Sequence, residues 1–172
     1  MTLLTTPIVD TLHHNLVNEV EDYRQLLSLT QCEQIALQSG NLTDLTATTE
    51  AKISLLQRLA DWEKKRQQIM AKLAEKLKLP APPSLSELIA FCDETVAEKL
   101  ATLRQEFINL TEQVYLLNQG NQLLLQTELV RVNATVNYLL SGTSAGVGYT
   151  TNGISAHLTP PSSAGNVFNW QV

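Results

Sequence analysis

The sequence is poor in aromatic residues, and this scarcity narrows the range of folds. Phe, Trp and Tyr make up only 5% of the 172 residues, whereas the hydrophobic share reaches 44%. Chains rich in leucine and poor in aromatic residues fill the narrow seams between helices more readily than the broad core of a sheet protein. The length suits one domain, or one domain with a tail.

Positive charge and cysteine are also scarce, and each scarcity excludes a class of protein. The net charge of −5 lacks the basic footprint of a nucleic-acid binder, so we expect no nucleic-acid partner. Cys32 and Cys92 lie far apart, with no CxxC motif and no cluster with histidine. We therefore predict two reduced thiols, no metal site and no cofactor.

Long apolar runs and catalytic motifs are absent from the sequence. No stretch of 18 apolar residues occurs, and the start, "MTLLTTPIVDTLHHN", lacks the basic and apolar regions of a signal peptide. We expect a cytoplasmic protein without stable membrane insertion. No glycine-rich phosphate loop, GxSxG or HExxH motif is present, so we predict that the protein is not an enzyme.

Glycine and proline are confined to a few positions, which divide the chain into helices. The sequence predicts an all-α fold, an elongated antiparallel three-helix bundle or coiled coil formed by residues 1–140. Its helices are expected at about 9–39, 41–79 and 84–140. Residues 141–172 hold five of the seven glycines and no charged residue, and we predict a flexible tail there.

Helix-capping residues mark the predicted boundaries. Gly40 suits the end of the first helix, and Asn41 can cap the second, with Asp44 in its first turn. Ser84 and Glu87 have the spacing of a capping box for the third helix. The middle helix is basic and its two neighbours are acidic, which favours packing of the three against one another.

The third predicted helix carries the clearest heptad pattern. One apolar row comprises Ile89, Val96, Leu103, Leu110, Leu117 and Leu124. Its companion row comprises Leu100, Phe107, Val114 and then Asn121. Beyond these rows the apolar stripe drifts to Leu125, Leu129, Val132, Val136 and Leu139.

Three polar residues interrupt the apolar stripe of the second helix: Lys52, Glu63 and Arg66. Their side chains either extend outward along a helix edge, or form buried ion pairs with Glu19 or Glu33 of the first helix. Buried pairs of this kind specify register more reliably than they stabilise a fold.

Two asparagines lie in or beside the apolar seam of the third helix. Asn121 occupies a seam position, with Asn118 one turn earlier and Gly120 between them. A single asparagine in a seam commonly specifies register. The alternative is that both amides face a groove for a partner, while the flanking leucines take the partner's apolar face. Gly120 would then permit close backbone approach or let the helix bend.

The sequence resembles the FlgN-type flagellar export chaperones over roughly residues 10–153. The resemblance rests on "NQGNQLLLQTEL" (118–129) late in a long helix and on "YTTNG" (149–153) after it. Upstream, "EDYRQLLSLTQCEQIAL", "KISLLQRLADWEKKRQQIM" and the turn "QSGNLTDL" are similar to the charged helical hairpin of that family.

The resemblance implies a chaperone that binds the hook-associated junction proteins of the flagellum, FlgK and FlgL, and delivers them to the export gate. It implies client contacts at Leu117, Asn118, Asn121, Leu124, Leu125 and Leu129. A client helix lying along residues 110–136 would also contact Leu110, Val114 and Val132. The resemblance further implies an export-gate docking element at Tyr149 and Gly153. The alternative is a structural coiled-coil adaptor or self-associating bundle, and a weak homodimer is compatible with either function.

Overall fold

A computed structural model describes residues 7–143, all of them within helices or the short connections between helices. The four helices are α1 (Pro7–Ser39), α2 (Leu42–Leu77), α3 (Leu85–Ile89) and α4 (Glu94–Thr143). The prediction of an all-α fold is confirmed. The chain divides into two compact units, one reaching Leu125 and one beginning at Gln126, and of the second the structure describes the distal part of α4.

A tight turn joins α1 to α2, as the capping residues predicted. Gly40 has a φ of +65°, the left-handed conformation that glycine adopts without strain. The Asn41 amide donates to the Ala36 carbonyl at 3.0 Å, which satisfies one of the last carbonyls of α1. Asn41 Oδ1 then accepts from the amide of Asp44 at 3.2 Å and caps α2.

The third predicted helix is two helices in the structure, which corrects its predicted span of 84–140. Ser84 and Glu87 form the expected capping box, but it starts the short helix α3. After a turn at residues 90–93, Asp93 starts α4 by accepting the amide hydrogen of Val96 at 2.8 Å. Aspartate is a favoured N-cap residue, so this hydrogen bond stabilises a new helix start at this point. From there α4 is continuous through Gly120.

In the first unit, α1 and α2 run antiparallel. Asn15 Nδ2 donates to the carbonyl of Trp62 at 3.2 Å, and Lys52 Nζ lies 2.7 Å from Glu33 Oε2. Residue numbers rise along α1 as they fall along its partner, which is the antiparallel relation that the short turn requires.

The proximal part of α4 runs parallel to α1. The rings of Tyr23 and Phe107 meet edge to face, with centroids 4.7 Å apart. Further along, Asn121 Nδ2 donates to the carbonyl of Thr30 at 3.1 Å. The first unit is therefore an up-down-up three-helix bundle, with the loop and α3 returning the chain to its starting end.

The bundle core consists of two apolar clusters. The first contains Val9, Leu12, Leu16, Met70, Leu73, Leu88, Cys92 and Leu100. The second contains Val20, Tyr23, Leu26, Leu55, Leu59, Leu110 and Val114. Full burial of one leucine contributes roughly 2 kcal/mol, so these seams supply most of the stabilisation. Leu103 packs against both clusters, and Glu19 and Asp22 are buried on α1 near the point where they meet.

We expect Gly120→Ala to stabilise the protein by about 1 kcal/mol, the difference in helix propensity between the two residues. A Cβ at this position would meet only the Gln34 Nε2 atom, at 3.7 Å, which is an ordinary contact. Urea unfolding followed by circular dichroism measures the change.

The matched control is Gly40→Ala, because the φ of +65° at Gly40 disfavours a Cβ. This variant should lose about 1 kcal/mol. A loss of stability in Gly120→Ala would contradict this prediction and show that α4 requires glycine at this position.

Candidate functional site

The distal part of α4, residues 126–143, presents an exposed apolar row. Leu129, Val132, Val136 and Leu139 follow one another at spacings of three, four and three residues, so they share one helix face. Their side chains are 62%, 55%, 46% and 61% exposed. Such a row is one half of a coiled-coil seam, and in water it favours a partner helix.

Little charge interrupts this distal row. Within residues 126–141 the only charged side chains are Glu128 and Arg131, which lie 3.4 Å apart in a pair between successive turns. Because the pair is largely exposed, it contributes little stability. An apolar segment of a partner can therefore approach the row without burying an unpaired charge.

The residues predicted to contact a client fall into exposed and buried groups. Leu125, Leu129, Val132 and Asn118 are exposed, and Leu117 and Leu124 are half-buried. The remaining three lie in the interior of the first unit: Leu110, Val114 and Asn121. Leu110 and Val114 complete the second apolar cluster, so a partner does not reach them in this conformation. Tyr149 and Gly153 lie outside the described residues.

Asn121 is a junction between helices. It is 3% exposed, and its Nδ2 donates to the Thr30 carbonyl at 3.1 Å and to Glu33 Oε2 at 2.8 Å. Glu33 Oε2 also pairs with Lys52 Nζ at 2.7 Å, and Lys52 donates to Asn118 Oδ1 at 3.1 Å. The two asparagines thus join α4 to both other helices, which supports the interpretation of Asn121 as a register device.

Further charged contacts join α1 to α2 near the point where the two apolar clusters meet. Glu19 is 1% exposed, and its Oε2 lies 3.3 Å from Arg66 Nε. The Asp22 carboxylate accepts hydrogen bonds from Arg58 Nε and Nη2, each at 2.6 Å, and from the Trp62 indole N–H at 2.9 Å. Of the two interpretations of Arg66 and Lys52, the structure shows ion pairs: Arg66 pairs with the buried Glu19, and Lys52 pairs with Glu33, both half-buried.

Burial raises the pKa of the Glu19 carboxyl from 4.5 to about 7. The cationic Arg66 opposes this rise, while the like charge of Glu63 adds to it. Burial likewise raises the pKa of the Tyr23 hydroxyl above its usual range. One carboxyl in the bundle interior therefore titrates near neutral pH.

Val136 and Leu139 lie in the same exposed row as Leu129 and Val132, although the predicted contact set did not contain them. The drift of the apolar stripe already included both, and this was the signal that could have identified them. The roles of Glu33 and Lys52 as partners of the asparagines required the register between helices, which the sequence does not contain.

Residues 7–143 contain neither a metal-ligand cluster nor a helix that could span a membrane. No group of three or more His, Cys, Asp or Glu residues there is placed to hold a metal ion. In the same range, no helix combines the length and the apolar character needed to cross a bilayer.

The described residues define a class: an all-helical bundle protein whose last helix bears an exposed apolar row. Comparison with known families specifies the class further: the sequence profile described as FlgN protein matches residues 1–156. The chain belongs to the FlgN family, a family of flagellar export chaperones and not of enzymes, which confirms the resemblance. Comparisons with curated proteins and with solved structures find no match.

Wild-type stability should fall as the pH rises from 5 to 8. Glu19 has a higher pKa folded than unfolded, so its protonated form favours the folded state, and this contribution is lost as the pH rises through about 7. The expected loss from this group is roughly 2 kcal/mol. Urea unfolding at several pH values measures it.

The Glu19→Gln variant should flatten this pH profile, because the amide does not titrate. Glu112→Gln, an exposed change on α4, should leave the profile unchanged. If Glu19→Gln kept the wild-type slope, another group would be responsible.

Asn121→Ala should destabilise the protein by about 1 to 3 kcal/mol, because it removes two buried hydrogen bonds, one of them to a carboxylate. Asn118→Ala should cost about 0.5 kcal/mol or less, since Asn118 is exposed. Chemical denaturation of the two variants tests this difference. If Asn121→Ala were as stable as wild type, the hydrogen bonds of Asn121 would not stabilise the packing of α4.

Proposed function

We propose that this protein is a cytoplasmic export chaperone for the hook-associated proteins of the flagellum. The exposed distal row of α4 carries the proposal, since Leu129, Val132, Val136 and Leu139 form an uncovered seam of coiled-coil spacing. The terminal amphipathic segment of a hook-associated protein would lay its apolar face along this row. Covering that segment would prevent its premature association before export.

The predicted client contacts in the first unit are a separate part of the proposal. Leu125 is 44% exposed, and Leu117, Leu124 and Asn118 reach the surface. Asn118 accepts a hydrogen bond from Lys52, so an arriving polar group would compete for an existing partner. Asn121 acts indirectly, by holding α4 against the other two helices. Leu110 and Val114 also act indirectly, as buried members of the second apolar cluster.

Delivery to the export gate is the second part of the proposal. Tyr149 and Gly153 follow α4 in the sequence and lie within the residues matched by the family profile. A docking element there would be separate from the distal row. The chaperone could then hold its client and contact the export machinery at the same time.

Self-association is the competing explanation of the distal row. A second copy of this chain could cover the same four residues, as in a structural coiled-coil adaptor or a homodimer. Sedimentation distinguishes the two functions: a chaperone is a monomer or a loose dimer that binds an apolar dye. A tight oligomer with no dye binding would favour the adaptor.

Serine substitutions in the distal row should weaken client binding without unfolding the bundle. Leu129→Ser and Val132→Ser each remove a contact worth about ten-fold in affinity, since burial of such a side chain contributes roughly 1.5 kcal/mol or more. Calorimetric titration with the purified terminal segments of hook-associated proteins measures the effect.

Val130→Ser is the matched control, because Val130 is 69% exposed but lies away from the row on the helix surface. It should bind like wild type. The proposal fails if the wild-type protein binds no such segment, or if Val130→Ser weakens binding as much as Val132→Ser does.

A further inference from the structure

The second half of α2 is strongly basic, although the whole chain has a net charge of −5. Residues 64–78 contain one acidic residue and six basic ones, Lys64, Lys65, Arg66, Lys72, Lys76 and Lys78. Arg66 turns inward to Glu19, whereas the five lysines are exposed. Positive charge is therefore concentrated on one part of the bundle surface, where it can attract an acidic partner.

Three of these lysines form a row. Lys65, Lys72 and Lys76 follow at spacings of seven and four residues, which places them on one face of α2. The rise of a helix separates the first two by about 10 Å and the last two by about 6 Å. None of the three forms an ion pair with another described residue, in contrast to Lys52, which pairs with Glu33 of α1.

A groove of about 270 Å³ runs beside this row, between α1 and α2. Lys65 and Lys72 line it, together with His14 of α1 and with Trp62 and Ile69 of α2. Lys65 Nζ lies 4.2 Å from the centre of the Trp62 ring, and the indole N–H is held by Asp22. Because the ring is anchored, the groove combines a rigid aromatic wall with two cationic groups.

We propose that this groove is a docking site for an acidic amphipathic segment of a partner protein. Carboxylates two turns apart on a helix lie about 10 Å apart, the spacing of Lys65 and Lys72. One apolar side chain between those carboxylates would enter the groove against Trp62 and Ile69. The surface lies on α1 and α2, so the inference is independent of the client site proposed on α4.

A long polyanion or a membrane fits this surface less well than a peptide does. Nucleic acid would extend beyond the lysine row onto a molecule that is acidic as a whole. Binding to an anionic bilayer needs apolar side chains that insert beside the basic ones. Among the described residues, none of the exposed large apolar side chains falls between Leu56 and Phe91. A short acidic segment needs neither feature.

The test uses the full-length chain with Trp170→Phe, so that Trp62 is the only tryptophan. The probe is a synthetic helical peptide with two glutamates seven residues apart and a leucine midway between them. Binding should change the Trp62 emission and should weaken as salt rises from 20 to 200 mM. Lys65→Glu with Lys72→Glu should lower the affinity about ten-fold or more.

The matched control reverses two other exposed lysines, Lys64→Glu with Lys99→Glu, with the same change in net charge. It should bind the peptide like the parent protein. Circular dichroism should show both double variants folded, and capture of hook-associated segments should be unchanged in both.

Three results would overturn the proposal. The first is a glutamine version of the peptide that binds as tightly as the acidic one. The second is an equal loss of affinity in the two double variants. The third is a single-stranded RNA or an anionic phosphatidylglycerol vesicle that binds the parent protein more tightly than the peptide, with this binding lost in the Lys65/Lys72 variant.

Discussion

The architecture depends on charged groups that are buried or half-buried in its helix seams. Glu33, Lys52 and Asn121 come from three different helices and share hydrogen bonds at one level of the bundle. Sliding any helix by one turn would leave a carboxylate or an ammonium group in the interior without a partner, at a cost of several kcal/mol. Leucine seams can pack in several registers at similar energy, whereas the hydrogen bonds among Glu33, Lys52 and Asn121 form in only one. The Glu19–Arg66 pair imposes the same constraint nearer the other end.

The long helix α4 is packed into the bundle along one part of its length and exposed along another. Up to Asn121 its companion row completes the bundle, and Leu100 in that row is fully buried. In residues 126–143 the same kind of apolar spacing is exposed to solvent. Exposed leucine and valine are unfavourable for an isolated protein and favourable for one that binds an amphipathic segment. The FlgN family to which the chain belongs gives this exposed row a biological context.

Charge is distributed between interior and surface according to helix face. On α2, Lys52, Arg58 and Arg66 reach toward carboxylates of α1, where they specify pairing. Lys65 and Lys72 lie on the outer edge of the same helix beside a groove, where no described carboxylate meets them. Some basic residues of α2 thus form ion pairs with α1, and the others are exposed to solvent. A net charge calculated for the whole chain conceals this division.

The sequence by itself determined the helices, most of their ends and the apolar seams, because capping and periodicity are local properties. The sequence predicted the turn at Gly40 and Asn41 and the Ser84–Glu87 capping box for this reason, whereas it did not predict the break at Asp93. Tertiary structure alone decided which seam residues are covered. Asn121 and Leu129 belong to the same stripe, yet one is buried and the other exposed. Burial depends on what lies opposite a side chain, and that neighbour is distant in the sequence.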